Sequence, residues 1–194
     1  AGLTELRHLN LEGSIEHSGL SLSALENLHN LRHLDLTGTP LTPRDFESIT
    51  HWPQHLEELS ISHSDVRDVH LKKIGALENL KHLNLGYCGD LSDEGIDHLV
   101  SLANLESLDL SGTEIRATGI LRLVPLEKLG RLTLNSFFAS DEDLRTIAVL
   151  KHLKTLNICV LPSSEKMASR LLAPLTEKGV TINRLWWPEL EHPN

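Results

Sequence analysis

Aromatic residues are scarce in this chain of 194 residues: one tyrosine, three phenylalanines and three tryptophans, 4 % in all. That shortage argues against an interior built around a few large anchors, and leucine dominates the core instead, as in an interior assembled from many equivalent small units. Cysteine is limited to Cys88 and Cys159, which excludes a disulfide-dense secreted scaffold without fixing the compartment, an intracellular one being slightly favoured. Positive charge is in deficit, with a formal net charge of −9. The chain therefore lacks the basic footprint that neutralising nucleic-acid phosphates demands, and nucleic acid is not an expected partner. Anionic membrane surfaces are disfavoured for the same reason. No run approaches the ~20 apolar residues of a membrane span, and no charged-then-apolar leader opens the chain, so membrane insertion is not expected. The first residue is alanine rather than methionine, the pattern of a processed or excised piece.

What the chain has in abundance is a ruler. The hexapeptide pattern L-x-x-L-x-L begins at Leu6, Leu31, Leu56, Leu80, Leu105, Leu129 and Leu153, in steps of 25, 25, 24, 25, 24 and 24 residues. Its copies read LRHLNL, LRHLDL, LEELSI, LKHLNL, LESLDL, LGRLTL and LKTLNI. In an extended strand the fourth and sixth residues face one way and the third and fifth the other. Leu9 and Leu11 thus turn inward, while His8 and Asn10 turn outward. No single repeat can bury its own leucines, so neighbouring repeats must stack to make a continuous core.

Parallel strands need a return path, and the intervening segments read as helices. Apolar spacing at Ile96, Leu99 and Leu102 in SDEGIDHLVSL fits one, with Ser92 as N-cap and Asp93 and Glu94 in the first turn. TPRDFESI, RDVHLKKI, SDEDLRTI and SSEKMASRL carry the same grammar. IEHSGLSLSALENL is Ser-rich and has no clear cap, yet it is read as helical by position. Three residues after each hexapeptide stands a small polar or thiol side chain: Ser14, Thr39, Ser64, Cys88 and Thr113. Each is placed to satisfy backbone groups of the turn, which would cost ~1–3 kcal/mol apiece if left orphaned. Phe137 and Leu161 break this ladder.

These features together resemble the leucine-rich repeat superfamily across nearly the whole chain. NLGYCGDLSDEGIDHLVSLANL, residues 84 to 105, further resembles the cysteine-containing subfamily found in F-box ubiquitin-ligase adaptors. Cys88 stands at its ladder position and Ser92-Asp93-Glu94-Gly95-Ile96 at its helix opening. The resemblance implies an α/β fold: a right-handed solenoid of seven repeats of 24–25 residues, with a parallel sheet on the concave face and helices on the convex face. Residues 1–175 are assigned to the solenoid and 176–194 to a capping strand and tail, where VTI supplies a strand and Leu185, Trp186 and Trp187 cover the end leucines. The N-terminus begins almost directly on a repeat, which leaves open a missing upstream repeat or domain.

Catalytic signatures are not found: there is no G-x-S-x-G elbow, H-E-x-x-H, phosphate loop or C-x-x-C. No enzyme activity, cofactor or metal is expected. His51 and His55 have i, i+4 spacing, but Pro53 between them opposes a helix. His17, His29, His70, His98 and His152 are assigned to solvated convex or loop positions. Side chains on adjacent strands line up ~4.8 Å apart. The third-position row is His8, His33, Glu58, His82, Ser107, Arg131 and Thr155. A fifth-position row runs beside it: Asn10, Asp35, Ser60, Asn84, Asp109, Thr133 and Asn157. Parallel side chains of this kind do not converge as metal ligands must. Both rows are expected to form a polar, wet interface. His63 and Tyr87 on the ascending turns, with Phe137 and Phe138, are candidates for larger anchors. The expected function is recognition of a protein partner through the concave sheet and ascending turns. The alternatives are a substrate-receptor fragment of an F-box type ubiquitin ligase and, third, an enzyme or metal-binding surface.

Overall fold

Alternation of buried leucine with polar residues makes each of the seven hexapeptides a short strand, and an eighth strand follows them among the described residues. Its structure, a computed structural model, describes residues 3–14, 22–39, 41–135, 139–160 and 165–185. The strands are β1 (His8–Asn10), β2 (His33–Asp35), β3 (Glu58–Ser60), β4 (His82–Asn84), β5 (Ser107–Asp109), β6 (Arg131–Leu134), β7 (Thr155–Cys159) and β8 (Thr181–Leu185). They form one parallel sheet in chain order. Pairing stays in register throughout: His8 with His33, His33 with Glu58, Glu58 with His82, His82 with Ser107, Ser107 with Arg131 and Arg131 with Thr155. The ruler and the sheet are therefore one object. Each 24- or 25-residue step advances the chain by one strand without a slip.

The inward leucines make the core. Leu34, Leu59, Leu83, Leu108, Leu132 and Leu156 are each at most 2 % exposed, and Leu36, Ile61, Leu85 and Leu110 are fully buried behind them. At the N-terminal end, Leu6, Leu9 and Leu11 are only partly buried against this cluster.

Return segments are short because the period leaves little room. The α-helices are α1 (Pro43–Ser48), α2 (Asp68–Ile74), α3 (Ala117–Arg122), α4 (Asp141–Ile147) and α5 (Glu165–Glu177). Leu22–Asn27 and Asp93–His98 are tighter 3-10 helices. After several of these helices a turn closed by one leucine on another leads back to the sheet, as from Leu31 N–H to the Leu28 carbonyl and from Leu80 N–H to that of Leu77. α5 runs across the expected 175/176 boundary, and β8 then joins β7 with Thr155 opposite Thr181 and Cys159 opposite Leu185. The expected ladder breaks at Phe137 and Leu161 and the covering residues Trp186 and Trp187 lie outside the described residues, as does the side chain of Leu185.

Capping is arranged differently from the expectation for Ser92. α4 carries a complete local box: Ser140 Oγ accepts from Asp143 N–H at 3.1 Å, and Asp143 Oδ2 accepts from Ser140 N–H at 2.9 Å. Ser92 occupies the N-cap position as expected, but its side chain caps no backbone N–H of its own helix and within that helix reaches only the Glu94 carboxylate, at 2.8 Å. Its N–H donates instead to Asp68 Oδ1 of the preceding repeat at 3.0 Å, and its hydroxyl lies 2.6 Å from Asp68 Oδ2. Asp93 repeats the arrangement one step on, accepting from Arg116 N–H at 2.8 Å. A side chain at Gly95 would collide with Asp68, and one at Gly119 with Asp93. The Asp-x-Gly spacing of residues 93–95 thus serves two neighbours: the glycine admits the previous aspartate, and the aspartate caps the next helix.

Candidate partner-binding face

The polar ladder holds the turns that frame the sheet. Thr39 Oγ1 donates to the Leu11 carbonyl at 3.0 Å and Thr113 Oγ1 to that of Leu110 at 2.7 Å. Cys88 Sγ lies 3.4 Å from the Ile61 carbonyl and 3.7 Å from Ser64 Oγ. Burial pushes the Cys88 thiol up, away from the thiolate a nucleophile needs. Asn30, Asn79 and Asn104 form a second ladder, donating their amides to the carbonyls of Thr4, Gln54 and Glu78. Sequence reasoning missed it. The signal was the recurring asparagine directly before Leu31, Leu80 and Leu105.

On the outer face the third-position row stands largely free. His8 and His33 stack with ring centroids 4.3 Å apart and planes 10° from parallel. His33 Nδ1 is 2.8 Å from Glu58 Oε2, and both side chains remain well exposed. His82, Ser107 and Arg131 make no side-chain hydrogen bond or ion pair with the described residues. Below this row Glu57 binds Lys81 at 2.6 Å and also Arg32. The bonds from Lys81 and then Arg32 hold the Glu57 carboxyl below its ordinary value.

The fifth-position row is engaged with its own scaffold. Asn10, Asp35, Asn84 and Asp109 each accept, through Oδ1, the N–H two residues ahead: Glu12 at 2.7 Å, Thr37 at 2.9 Å, Gly86 at 2.9 Å and Ser111 at 2.8 Å. These are Asx turns, which bend the chain off the end of each strand. Ser60 Oγ lies 2.6 Å from Thr37 Oγ1. Thr133, expected on the open face, is buried, and its hydroxyl accepts from Asn157 Nδ2 at 3.0 Å. The sheet curls over a hollow of about 750 Å³ whose charged lining is Glu12, Asp35, Glu58, Asp109 and Arg131, with His82 beside them.

On the ascending turns, one backbone position lies two residues after each hexapeptide. Gly13 and Gly38 have φ 64° there and Gly112 φ 69°, while His63 and Tyr87 both have φ 58°. The left-handed conformation costs a side-chain-bearing residue roughly 1–2 kcal/mol. The turns nevertheless impose it, because His63 N–H donates to the Gly86 carbonyl at 2.9 Å and Tyr87 N–H to that of Ser111 at 2.5 Å. The rings of His63 and Tyr87 stack at 4.4 Å and 9°. Tyr87 is 47 % exposed. Phe137 and Phe138 lie outside the described residues.

Other histidines divide. His51 and His55 sit exposed in the turn around Pro53, and His29, His98 and His152 are exposed as expected. His17 lies outside the described residues. His70 corrects the reading: it is 5 % exposed, stacked on Phe46 at 5.0 Å, with Nδ1 accepting from Arg67 N–H at 3.1 Å. The third residue of α2 faces the neighbouring repeat rather than solvent. Burial drives its pKa below the ordinary 6.5, Glu47 opposing and Arg67 and Lys73 reinforcing the shift. Among the described residues, no group of three or more His, Cys, Asp or Glu side chains is placed to hold a metal ion.

A one-sheet stack of strand-turn-helix units, with a polar face framed by hydrogen-bonded turns, defines an α/β solenoid. The leucine-rich repeat family model matches residues 27–49, 76–100 and 101–124. Human protein zer-1 homolog is 34 % identical over 119 residues, covering 57 % of this chain and 15 % of that protein. The human volume-regulated anion channel subunit LRRC8D is 32 % identical over 139 residues, covering 68 % of this chain and 15 % of that protein. The chain therefore spans about 15 % of the length of these curated relatives. Among solved structures, the TLR13–ssRNA13 complex matches 81 % of this chain and 23 % of that one, with TM-score 0.58 and 23 % identity. An internalin, inlF, from Listeria monocytogenes matches 95 % of this chain and 64 % of that one, with TM-score 0.51 and 18 % identity. These matches and the solenoid fold support the leucine-rich repeat superfamily for this chain. Repeats of this kind serve as protein-interaction modules.

Proposed function

We propose that the protein binds a protein partner across its concave sheet and ascending turns. The observation that carries this reading is the difference between the two outward rows. Every fifth-position side chain is tied to a neighbour, whereas His82, Ser107 and Arg131 of the third row hold nothing within the described residues. Polar groups presented on a rigid base without internal partners are the equipment of recognition. In this reading β8 serves as the capping strand of the solenoid. Catalysis is not part of the proposal, because the fold generally supports non-catalytic binding and the hollow is broad rather than enclosing.

Affinity capture from the native source, followed by identification of the bound proteins, supplies the partner. Glu58→Lys with Arg131→Glu should then weaken that partner about tenfold or more at unchanged thermal stability, while Lys72→Glu on the convex α2 leaves it unaltered. Full affinity in the double variant would move the site off the concave face. Single-stranded RNA belongs in the same assay, since a fold neighbour was solved with RNA. The net charge of −9 favours protein as the ligand.

A narrower reading makes the chain part of a substrate receptor in an F-box type ubiquitin ligase. It is favoured by Cys88, buried in the ladder and directed at the Ile61 carbonyl. The parent gene upstream of Ala1 tests it: an F-box helical module there supports it, and a different module overturns it.

A further inference from the structure

We infer that Tyr87, braced by His63, is a pre-organised anchor for the partner, and that the partner segment it receives is a basic stretch of protein. The inference rests on the reading of the concave face as the recognition surface. Its starting point is a local rule broken twice. Five successive turns place one residue in the left-handed region, and three of them use glycine, the residue suited to it: Gly13, Gly38 and Gly112. The third and fourth turns use His63 and Tyr87, which the backbone there disfavours. Strain kept at adjacent positions, where the repeat supplies a strain-free alternative on both sides, points to a use for the side chains.

The geometry shows how the ring is held. Tyr87 stacks on His63 across one face. On the next turn a Cβ at Gly112 would run into the Tyr87 ring, so glycine is what lets the ring lie flat against that backbone. The tyrosine is wedged between an imidazole and a bare main chain while nearly half its surface stays open to solvent. An aromatic fixed in this way loses little rotamer freedom on binding, which is the property of an interface anchor.

The sign of the partner follows from what lies beside the ring. Gly86 precedes Tyr87, and a Cβ there would sit 3.6 Å from Asp109 Oδ1, so the acidic hollow begins one residue from the anchor. Glu12, Asp35, Glu58 and Asp109 line that hollow against Arg131. Among the described residues Glu12, Asp35 and Asp109 enter no ion pair, and Glu58 meets only His33. Asp35 and Asp109 spend Oδ1 on their turns and keep Oδ2 for a ligand. Such a field attracts lysine and arginine and repels carboxylates.

Tyr87 is the single tyrosine of the chain, so tyrosine labelled with carbon-13 yields one set of ring resonances to follow. The full chain is titrated with an oligo-arginine and an oligo-glutamate peptide of equal length. The expected result is a shift of the Tyr87 resonances with oligo-arginine alone. Tyr87→Gly restores the residue used at three equivalent turns, so it should fold with stability unchanged or raised while oligo-arginine affinity falls about tenfold. Asp109→Asn, which keeps the turn, should weaken binding as well. If oligo-arginine binds without moving Tyr87, or binds Tyr87→Gly equally well, the anchor role is overturned while the concave-face reading stands. If neither peptide binds, or oligo-glutamate binds better, the basic partner is overturned, and the Glu58→Lys, Arg131→Glu assay still judges the face by itself. A Tyr87→Gly protein of markedly lower stability would make the ring a structural element and overturn the proposal.

Discussion

Two rows of polar side chains run side by side across the same sheet, two residues apart on every strand, and they are put to different use. The fifth-position residues lie nearest the turns, where the chain leaves the strand and its N–H groups lose their ladder partners. Asn10, Asp35, Asn84 and Asp109 spend an oxygen on those groups. Third-position residues open each strand, where the parallel ladder already satisfies the backbone, as His33 N–H does on the Arg7 carbonyl. His33 and Glu58 meet only each other and His8, and Arg131 meets nothing described. Equal outward geometry does not imply equal freedom: the backbone's needs claim one oxygen of each Asn or Asp turn residue in one row and leave the other row's side chains wholly to a partner.

The comparison can be broken experimentally, and its outer bound is set by the leucine between the rows. Leu34, 1 % exposed, separates His33 from Asp35 on β2. Leu34→Glu should forfeit the ~1.5–3 kcal/mol of a buried leucine and add the larger cost of an unpaired buried charge. A loss of the cooperative urea transition is expected, and a retained native midpoint would contradict the packing described. The rows differ by less. Asp109→Ala strips the Ser111 N–H of its acceptor and should cost about 1 kcal/mol in urea unfolding. Asp109→Asn should recover most of that, as Asn84 already does at Gly86. Glu58→Ala, losing only an exposed pair, should stay within about 0.5 kcal/mol. Equal costs for Asp109→Ala and Glu58→Ala would erase the distinction between the rows.

A smaller effect contrasts the row histidines with His70, enclosed on the convex side. The folded-state pKa of His70 lies below 6.5, so the unfolded chain takes up the proton first as pH falls. The stability tied to His70 is therefore intact above pH 6.5 and declines as pH drops from there toward the folded value. His70→Gln keeps an acceptor for the Arg67 N–H and removes the titrating group. Its urea midpoint should fall less than that of the parent protein on going below pH 6.5. Parallel pH profiles for the two proteins would show that His70 carries no such linkage.

Much of the fold was legible before the structure, because the ruler is a short-range signal. The spacing of Leu31, Leu34 and Leu36 states a strand and its buried side within six residues, and seven copies state a stack. The recurring small residue at Thr39, Ser64, Cys88 and Thr113 was equally readable, since each closes a turn in its own repeat or reaches the one before. The alignment of the third-position residues on adjacent strands was readable for the same reason. What escaped were contacts whose two ends lie about one repeat apart. His70 looked solvent-facing until Phe46 of the previous repeat covered it. Ser92 looked like a cap until Asp68 proved to be capping it. Asp109 looked free until its turn claimed it, although there the Asp-x-Ser spacing was visible and went unread.

By itself, then, the order of residues determined the period, the strands and which side of each strand is buried, because those depend on alternation along a few consecutive residues. The stacking of one repeat on another decided the rest. Whether His70 is wet or dry, whether Ser92 gives or receives a cap, and whether His63 and Tyr87 meet as a stack depend on residues 24 positions apart being brought within a few ångströms. That proximity exists only once the sheet has formed in register, and no local pattern encodes it.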